Sequence, residues 1–147
     1  MQKIQPFLWF DKEALDAAMF YTSIFKNSKI TTQTPMIVEF ELEGQKFMAL
    51  NGGPAHAHFT EAISFFVNCE GQDEVDYFWE KLSEGGKTDR CGWLKDKFGL
   101  SWQIIPTALG KLMGDKDPNK SQAVMQAMLK MNKIVIKDLE KAYKGNN

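Results

Sequence analysis

At 147 residues the chain is long enough for one hydrophobic core and too short for two ordinary domains. Hydrophobic residues at 44% and charged residues at 25% are the balance of a globular protein, and a net charge of −1 offers no general pull toward nucleic acid or anionic lipid. No apolar run approaches the ~20 residues that cross a bilayer, and the opening MQKIQPFLWFDKE lacks the shape of a signal peptide.

In chain order, residues 4–10 (IQPFLWF) read as a short buried strand. Asp11 is a good helix N-cap, and residues 12–25 read as a helix with Leu15, Ala18, Met19 and Phe25 on one face. Residues 36–43 and 46–51 form two strands around Glu43-Gly44-Gln45, a hairpin signal. After the loop NGGPAHAHFTE the order returns. Residues 61–68 (EAISFFVN) make another strand. Residues 72–83 make the clearest helix, with Val75, Phe78, Trp79 and Leu82 at i, i+3, i+4, i+7 and Gly85-Gly86 as its stop. Residues 91–95 and 100–105 are two further strands around Asp96-Lys97-Phe98-Gly99.

The halves superpose in sequence. Ile4–Phe10 and Ala62–Asn68 match at an offset of 58, and Gly44–Phe47 matches Gly99–Trp102 at an offset of 55. Two strand–helix–strand–strand–strand modules follow, with the strand after each helix expected near 30–35 and 87–89. The predicted fold class is therefore α+β: two βαβββ modules sharing a curved mixed sheet, followed by C-terminal helices. Module one spans residues 1–52, module two residues 59–106 and the helical tail residues 107–147, within one domain. In the tail, Asp117-Pro118 is an N-cap/N1 pair. Val124, Met128 and Met131, with Met125 and Leu129, supply an apolar face, and a last helix holds Ile136, Leu139 and Tyr143.

Charge is uneven along this plan. Residues 1–110 carry 10 basic and 15 acidic groups, residues 111–147 carry 8 and 4. The basic, Met-rich tail predicts either a solvated helix face or a partner surface. Cys69 and Cys91 are too few for a disulfide framework and lack CxxC spacing, which predicts reduced thiols and a cytoplasmic location.

The stretches PFLWFD (6–11), FELEGQKFMALNGGP (40–54), FTEAISFFVNC (59–69), CGWLKDKFGLSWQIIP (91–106) and AMLKMNKI (127–134) resemble the PhnB-like group of the glyoxalase/bleomycin-resistance/extradiol-dioxygenase (vicinal-oxygen-chelate) superfamily, over nearly the whole chain. Members of that group are often labelled as a demethylubiquinone methyltransferase domain. In the superfamily's catalytic members, inner-face positions of each module supply His, Glu or Gln to a metal. Carried onto this chain, those positions fall near Pro6, Met48, Ser64 (or Ala62, one register away) and Gln103. Proline has no ligating side chain, methionine suits soft metals, and serine is a poor ligand for Zn, Ni or Fe. Gln103 alone is of the superfamily's type, so the residues predict no metal and no cofactor.

Other chemistry is thin. His56 and His58 could grip a metal at i, i+2 but lie in a linker with no third ligand near, so a solvated loop is expected. Cys91 has no histidine placed to activate it. Neither Gly52-Gly53 nor Gly85-Gly86 opens a helix after a parallel strand, as binding of S-adenosylmethionine in the common way requires, so methyl transfer is not expected. What the resemblance does imply is a cleft. Leu8, Phe10, Leu50, Phe66 and Ile105 are expected to line a concave face, with Gln103 and Asn68 as polar fixtures and Trp93 as a wall. Met48 and Ser64 complete the expected ligand-binding set. Such a face suits a small apolar or aromatic ligand. Three readings compete: a metal-free binding protein that forms a homodimer, a metal-dependent lyase, isomerase or dioxygenase, and a ligand-free structural dimer whose cleft is filled by side chains.

Overall fold

The computed structural model describes residues 2–145 and resolves them into two compact units that divide between His58 and Phe59. Each unit carries one βαβββ module, in which all backbone pairing of the described strands stays within the module. Module one contains β1 (Phe7–Phe10), α1 (Ala14–Ile24), β2 (Ser28–Gln33), β3 (Ile37–Leu42) and β4 (Gln45–Asn51), in sheet order β1-β4-β3-β2. Module two repeats it with β5 (Ser64–Cys69), α2 (Gln72–Ser83), β6 (Lys87–Thr88), β7 (Trp93–Lys95) and β8 (Ser101–Pro106), in order β5-β8-β7-β6. In both sheets the first strand runs parallel to the last and the other pairs are antiparallel. The tail adds α3 (Thr107–Met113), α4 (Pro118–Met128) and α5 (Ile136–Tyr143). Among the described residues no helix is long and apolar enough to cross a membrane.

The turns explain the order. Glu43 and Gly44 both take positive φ (50° and 86°) between the paired Leu42 and Gln45. That two-residue geometry matches the right-handed twist of the strands it joins, and glycine adopts it without a Cβ penalty. In module two the corresponding turn is organised by a side chain. Asp96, 2% exposed, accepts from the amides of Phe98 (2.9 Å) and Leu100 (3.1 Å) and from Trp102 Nε1 (2.9 Å).

Each helix covers one sheet face. On module one, Tyr21 packs against Phe40, which stacks on Phe47 with centroids 5.1 Å apart. Ala14, Ala17 and Ala18 are fully buried, small enough to bring α1 close to the sheet. The helix is therefore turned from the face that spacing suggested, and Met19 lies outside at 55% exposed. Asp11 does not cap it either. The N–H of Ala14 donates to Asn51 Oδ1 (2.9 Å), so the cap comes from β4 rather than from the preceding turn. On module two, Val75 and Leu82 of α2 are fully buried, as are Leu94, Trp102 and Ile104 of the sheet.

The tail has an intrachain partner that its sequence did not reveal. Ile105 of β8 joins Leu109, Val124, Ile134 and Leu139 in one buried cluster, and Gln72 of α2 donates to the Ile134 carbonyl and accepts from the Ile136 amide. Asp117 caps α4 as expected, accepting from the Asn119 amide (2.9 Å). Met125 and Leu129, expected on the buried face, are instead over 40% exposed.

Both cysteines are free. Cys69 is fully buried at the end of β5, and burial, with the Glu74 carboxylate nearby, pushes its thiol up to about 12. At pH 8 a disulfide-exchange reagent should modify Cys91 first, with Cys69 reacting only on unfolding. Equal labelling rates for the two would contradict this burial.

Candidate functional site

Directly paired residues in a sheet point to the same side, so the register assigns every side chain to a face. In module two Phe66 pairs with Gln103 and Gln103 with Trp93, while Ser64 pairs with Ser101 and Ser101 with Lys95. These residues form the face turned away from α2. Phe66 is 52% exposed there, and Trp93 and Gln103 are half-buried. Gln103 Nε2 donates to Ser64 Oγ at 3.0 Å, which fixes the orientation of the amide. Its carbonyl oxygen has no protein donor among the described residues. Asn68 is exposed on the same face, next to Ile105 in register.

The structure thus brings Gln103, Ser64, Phe66, Asn68 and Trp93 together on one face. Ile105 begins on it but is taken up by the tail cluster. Leu8 and Phe10 do not belong to the corresponding face of module one. They are 6% and 2% exposed, on the side covered by α1, and are core residues. The register gives the reason. Phe7 pairs with Met48 and Trp9 with Leu50, so Phe7, Trp9, Met48 and Leu50 share the helix-free face, while Leu8 pairs with Ala49 on the other. Met48 occupies on module one the place that Gln103 occupies on module two.

That correspondence also adjusts the internal repeat. Phe7 pairs with Met48 as Phe66 pairs with Gln103, so β1 and β5 correspond at an offset of 59, with β4 and β8 at 55. Gln5, not Pro6, is then the counterpart of Ser64. A one-residue slip exchanges the two faces of a strand, which is why the sequence comparison turned Leu8 and Phe10 inward to the cleft.

The donor set does not fit the metal that the superfamily's catalytic members hold. The four corresponding positions carry two glutamines, a serine and a thioether, with Ser64 and Gln103 already paired to each other. Among the described residues no group of three His, Cys, Asp or Glu side chains could hold an ion. His56 serves another purpose: its ring packs edge-on against Trp9 at 5.0 Å, beside a Trp9 Nε1 bond to the Gly53 carbonyl (2.9 Å).

Three polar residues escaped the sequence reading. Ser101 is fully buried and its Oγ has no hydrogen-bond partner among the described residues. An unmade buried hydroxyl costs about 1–3 kcal/mol. Lys95, beside it in register, forms an ion pair with Glu61, whose carboxyl is held below its ordinary range by the hydrogen bond from Lys95 and by its charge. Lys87 lies next to Lys95 on β6. The i, i+2 alternation with Gln103 and Trp93 was the available signal for Ser101 and Lys95. For Lys87 only the pairing supplies it.

Two βαβββ modules with these faces define a glyoxalase/bleomycin-resistance-type protein of the PhnB-like, vicinal-oxygen-chelate group. The chain belongs to the 3-demethylubiquinone-9 3-methyltransferase family, whose model matches residues 2–105. It is similar to a candidate 3-demethylubiquinone-9 3-methyltransferase, PhnB protein, from Bacillus cereus, at 34% identity and a TM-score of 0.65 over 71% of this chain and 99% of that one. A protein from Pseudomonas aeruginosa shares the fold at 18% identity and a TM-score of 0.62, over 72% and 98% of the two chains. So does the fosfomycin resistance protein FosX of Listeria monocytogenes, solved with Mn(II) and sulfate, at 14% identity and a TM-score of 0.52 over 69% and 88%. No curated protein matches the chain. The family match ends at Ile105, so the stretch AMLKMNKI and the rest of the tail lie outside it.

Proposed function

We propose that the chain binds a small aromatic or apolar molecule, without a metal, on the face of module two turned away from α2. The observation that carries this reading is the half-exposed Phe66 beside Trp93, with an oriented Gln103 amide between them. A mostly apolar surface with a few fixed polar groups is the usual make-up of a small-molecule site. Ser64 orients Gln103, Asn68 offers a second amide, and Met48 is the counterpart on module one.

The family's name describes methyl transfer, but the residues support binding rather than that reaction. The turns that lead into α1 and α2 are Asp11-Lys12-Glu13 and Glu70-Gly71, which hold one glycine between them. A nucleotide-type cofactor cradle needs a glycine-rich turn there.

The reading is tested with Gln103→Leu. Gln103 is only half-buried, so the change should cost under about 1 kcal/mol of stability, while affinity for naphthalene-based probes should fall severalfold. A variant that binds like the wild type would contradict the role given to Gln103. Elemental analysis of the purified protein supplies the second check. A stoichiometric transition metal would replace binding with metal-dependent lyase, isomerase or dioxygenase chemistry.

The same reading includes a cytoplasmic homodimer, supported by the unpaired cysteines and by the apolar Met125 and Leu129 left exposed on α4. Light scattering at micromolar concentration should give twice the chain mass, and Met125→Lys with Leu129→Lys should halve it. A wild-type monomer would count against the dimer.

A further inference from the structure

The register of module two places four hydrogen-bond donors in one row across the sheet. Ser64 pairs with Ser101, Ser101 with Lys95, and Lys95 with Lys87, so β5, β8, β7 and β6 each give one residue to the face away from α2. The adjoining row is Phe66, Gln103 and Trp93. We propose, resting on the binding face described above, that the donor row takes the carboxylate of the ligand whose aromatic body lies along Phe66 and Trp93. The ligand class is then an aromatic carboxylate rather than a neutral aromatic.

Three observations support the row as an anion site. The first is Ser101, fully buried, with a hydroxyl that has no partner among the described residues. Buried polar atoms are nearly always paired, and a spare hydroxyl on a residue paired in register with a lysine is the complement of a carboxylate oxygen. The second is charge. Lys87 and Lys95 stand directly opposite each other, an arrangement that is unfavourable for like charges. Lys95 is paired with Glu61, from the segment before β5, whereas Lys87 has no ion-pair partner among the described residues. One positive charge is left over.

The third is the contrast with module one. There the corresponding row runs through Lys46, Glu41 and Lys29, and Lys29 is ion-paired with Glu41 at 3.8 Å. Glu41 lies between two lysines and compensates them. Module two has Lys95 at that place, so its row contains hydroxyls and ammonium groups and no carboxylate. The Glu61 carboxylate already occupies Lys95, and an incoming carboxylate would compete with it for the same ammonium.

Calorimetric titration of the full chain with 2-naphthoate and with the neutral 2-naphthalenemethanol tests the proposal. The carboxylate should bind about tenfold more tightly, the effect of one or two charge-assisted contacts. Ser101→Ala and Lys95→Met should each remove most of that preference while leaving the affinity for the alcohol unchanged. Glu61→Gln should raise affinity for the carboxylate alone, because it removes the competitor. Lys95 is partly exposed, so Lys95→Met keeps the test open if the buried serine variant folds poorly. Equal affinity for the two probes, or variants that weaken both alike, would overturn the anion row and leave the aromatic face standing. Binding of neither probe would remove both.

Discussion

Asp96→Ala should lower stability by about 3–5 kcal/mol, read from the urea midpoint at constant slope. The carboxylate accepts from two backbone amides and one indole N–H, and it is 2% exposed. Removing it takes the Asp96 acceptor away from the Leu100 amide and the Trp102 indole in a buried setting, which costs more than the bonds themselves contributed. The turn it organises joins β7 to β8, the strands that carry Trp93, Lys95, Ser101 and Gln103. Asp96→Asn should recover part of the loss, because an amide oxygen still accepts while its NH2 group cannot serve the indole. A loss under about 1 kcal/mol for the alanine variant would mean that this turn is held by its backbone alone.

Gly86→Ala should cost about 3 kcal/mol, at the upper end for one added methyl, because the neighbouring atoms are backbone. A Cβ at this position would lie 2.1 Å from the Lys95 carbonyl oxygen and 2.7 Å from the Asp96 carbonyl carbon. Neither can turn aside as a side chain would, so β6 must move off β7. The displacement would separate Lys87 from Lys95, and the variant should lose preference for a carboxylate ligand beyond what its stability explains. Wild-type stability in Gly86→Ala would show that the β6–β7 contact is looser than its geometry implies.

Much of the fold could be read from residues whose local chemistry agrees with their tertiary surroundings. The spacing of Val75, Phe78, Trp79 and Leu82 defined α2 with its observed bounds, and Asp117-Pro118 gave the start of α4. Glu43-Gly44-Gln45 marked the first hairpin, whose turn is Glu43-Gly44 alone, and the Asp-x-x-Gly segment marked the second. Where the reading failed, the deciding partner was distant in sequence. Asp11 is a sound cap by local rules, yet Asn51, 37 residues from Ala14, provides it. The tail looked unpartnered because its core includes Ile105, a strand residue that alternation alone assigns to a cleft.

The faces of the strands were legible on module two and misread on module one for the same physical reason. Alternation fixes which residues share a face but not which face is covered, and a one-residue error in aligning β1 with β5 exchanges the two. Gln103, Ser64, Phe66, Asn68 and Trp93 share one sheet face, whereas Leu8 and Phe10 lie in the core. The donor row remained hidden because β6 is two residues long and has no pattern of its own. Only its pairing with β7 brings Lys87 beside Lys95.

A nuclear magnetic resonance titration of the isotopically labelled chain with 2-naphthoate tests the central claim most directly. Saturable shifts are expected at the Gln103 side-chain amide, the Trp93 indole and the backbone amides of Ser64, Phe66 and Ser101. Shifts absent from these groups, or confined to the α1 side of module one, would contradict it.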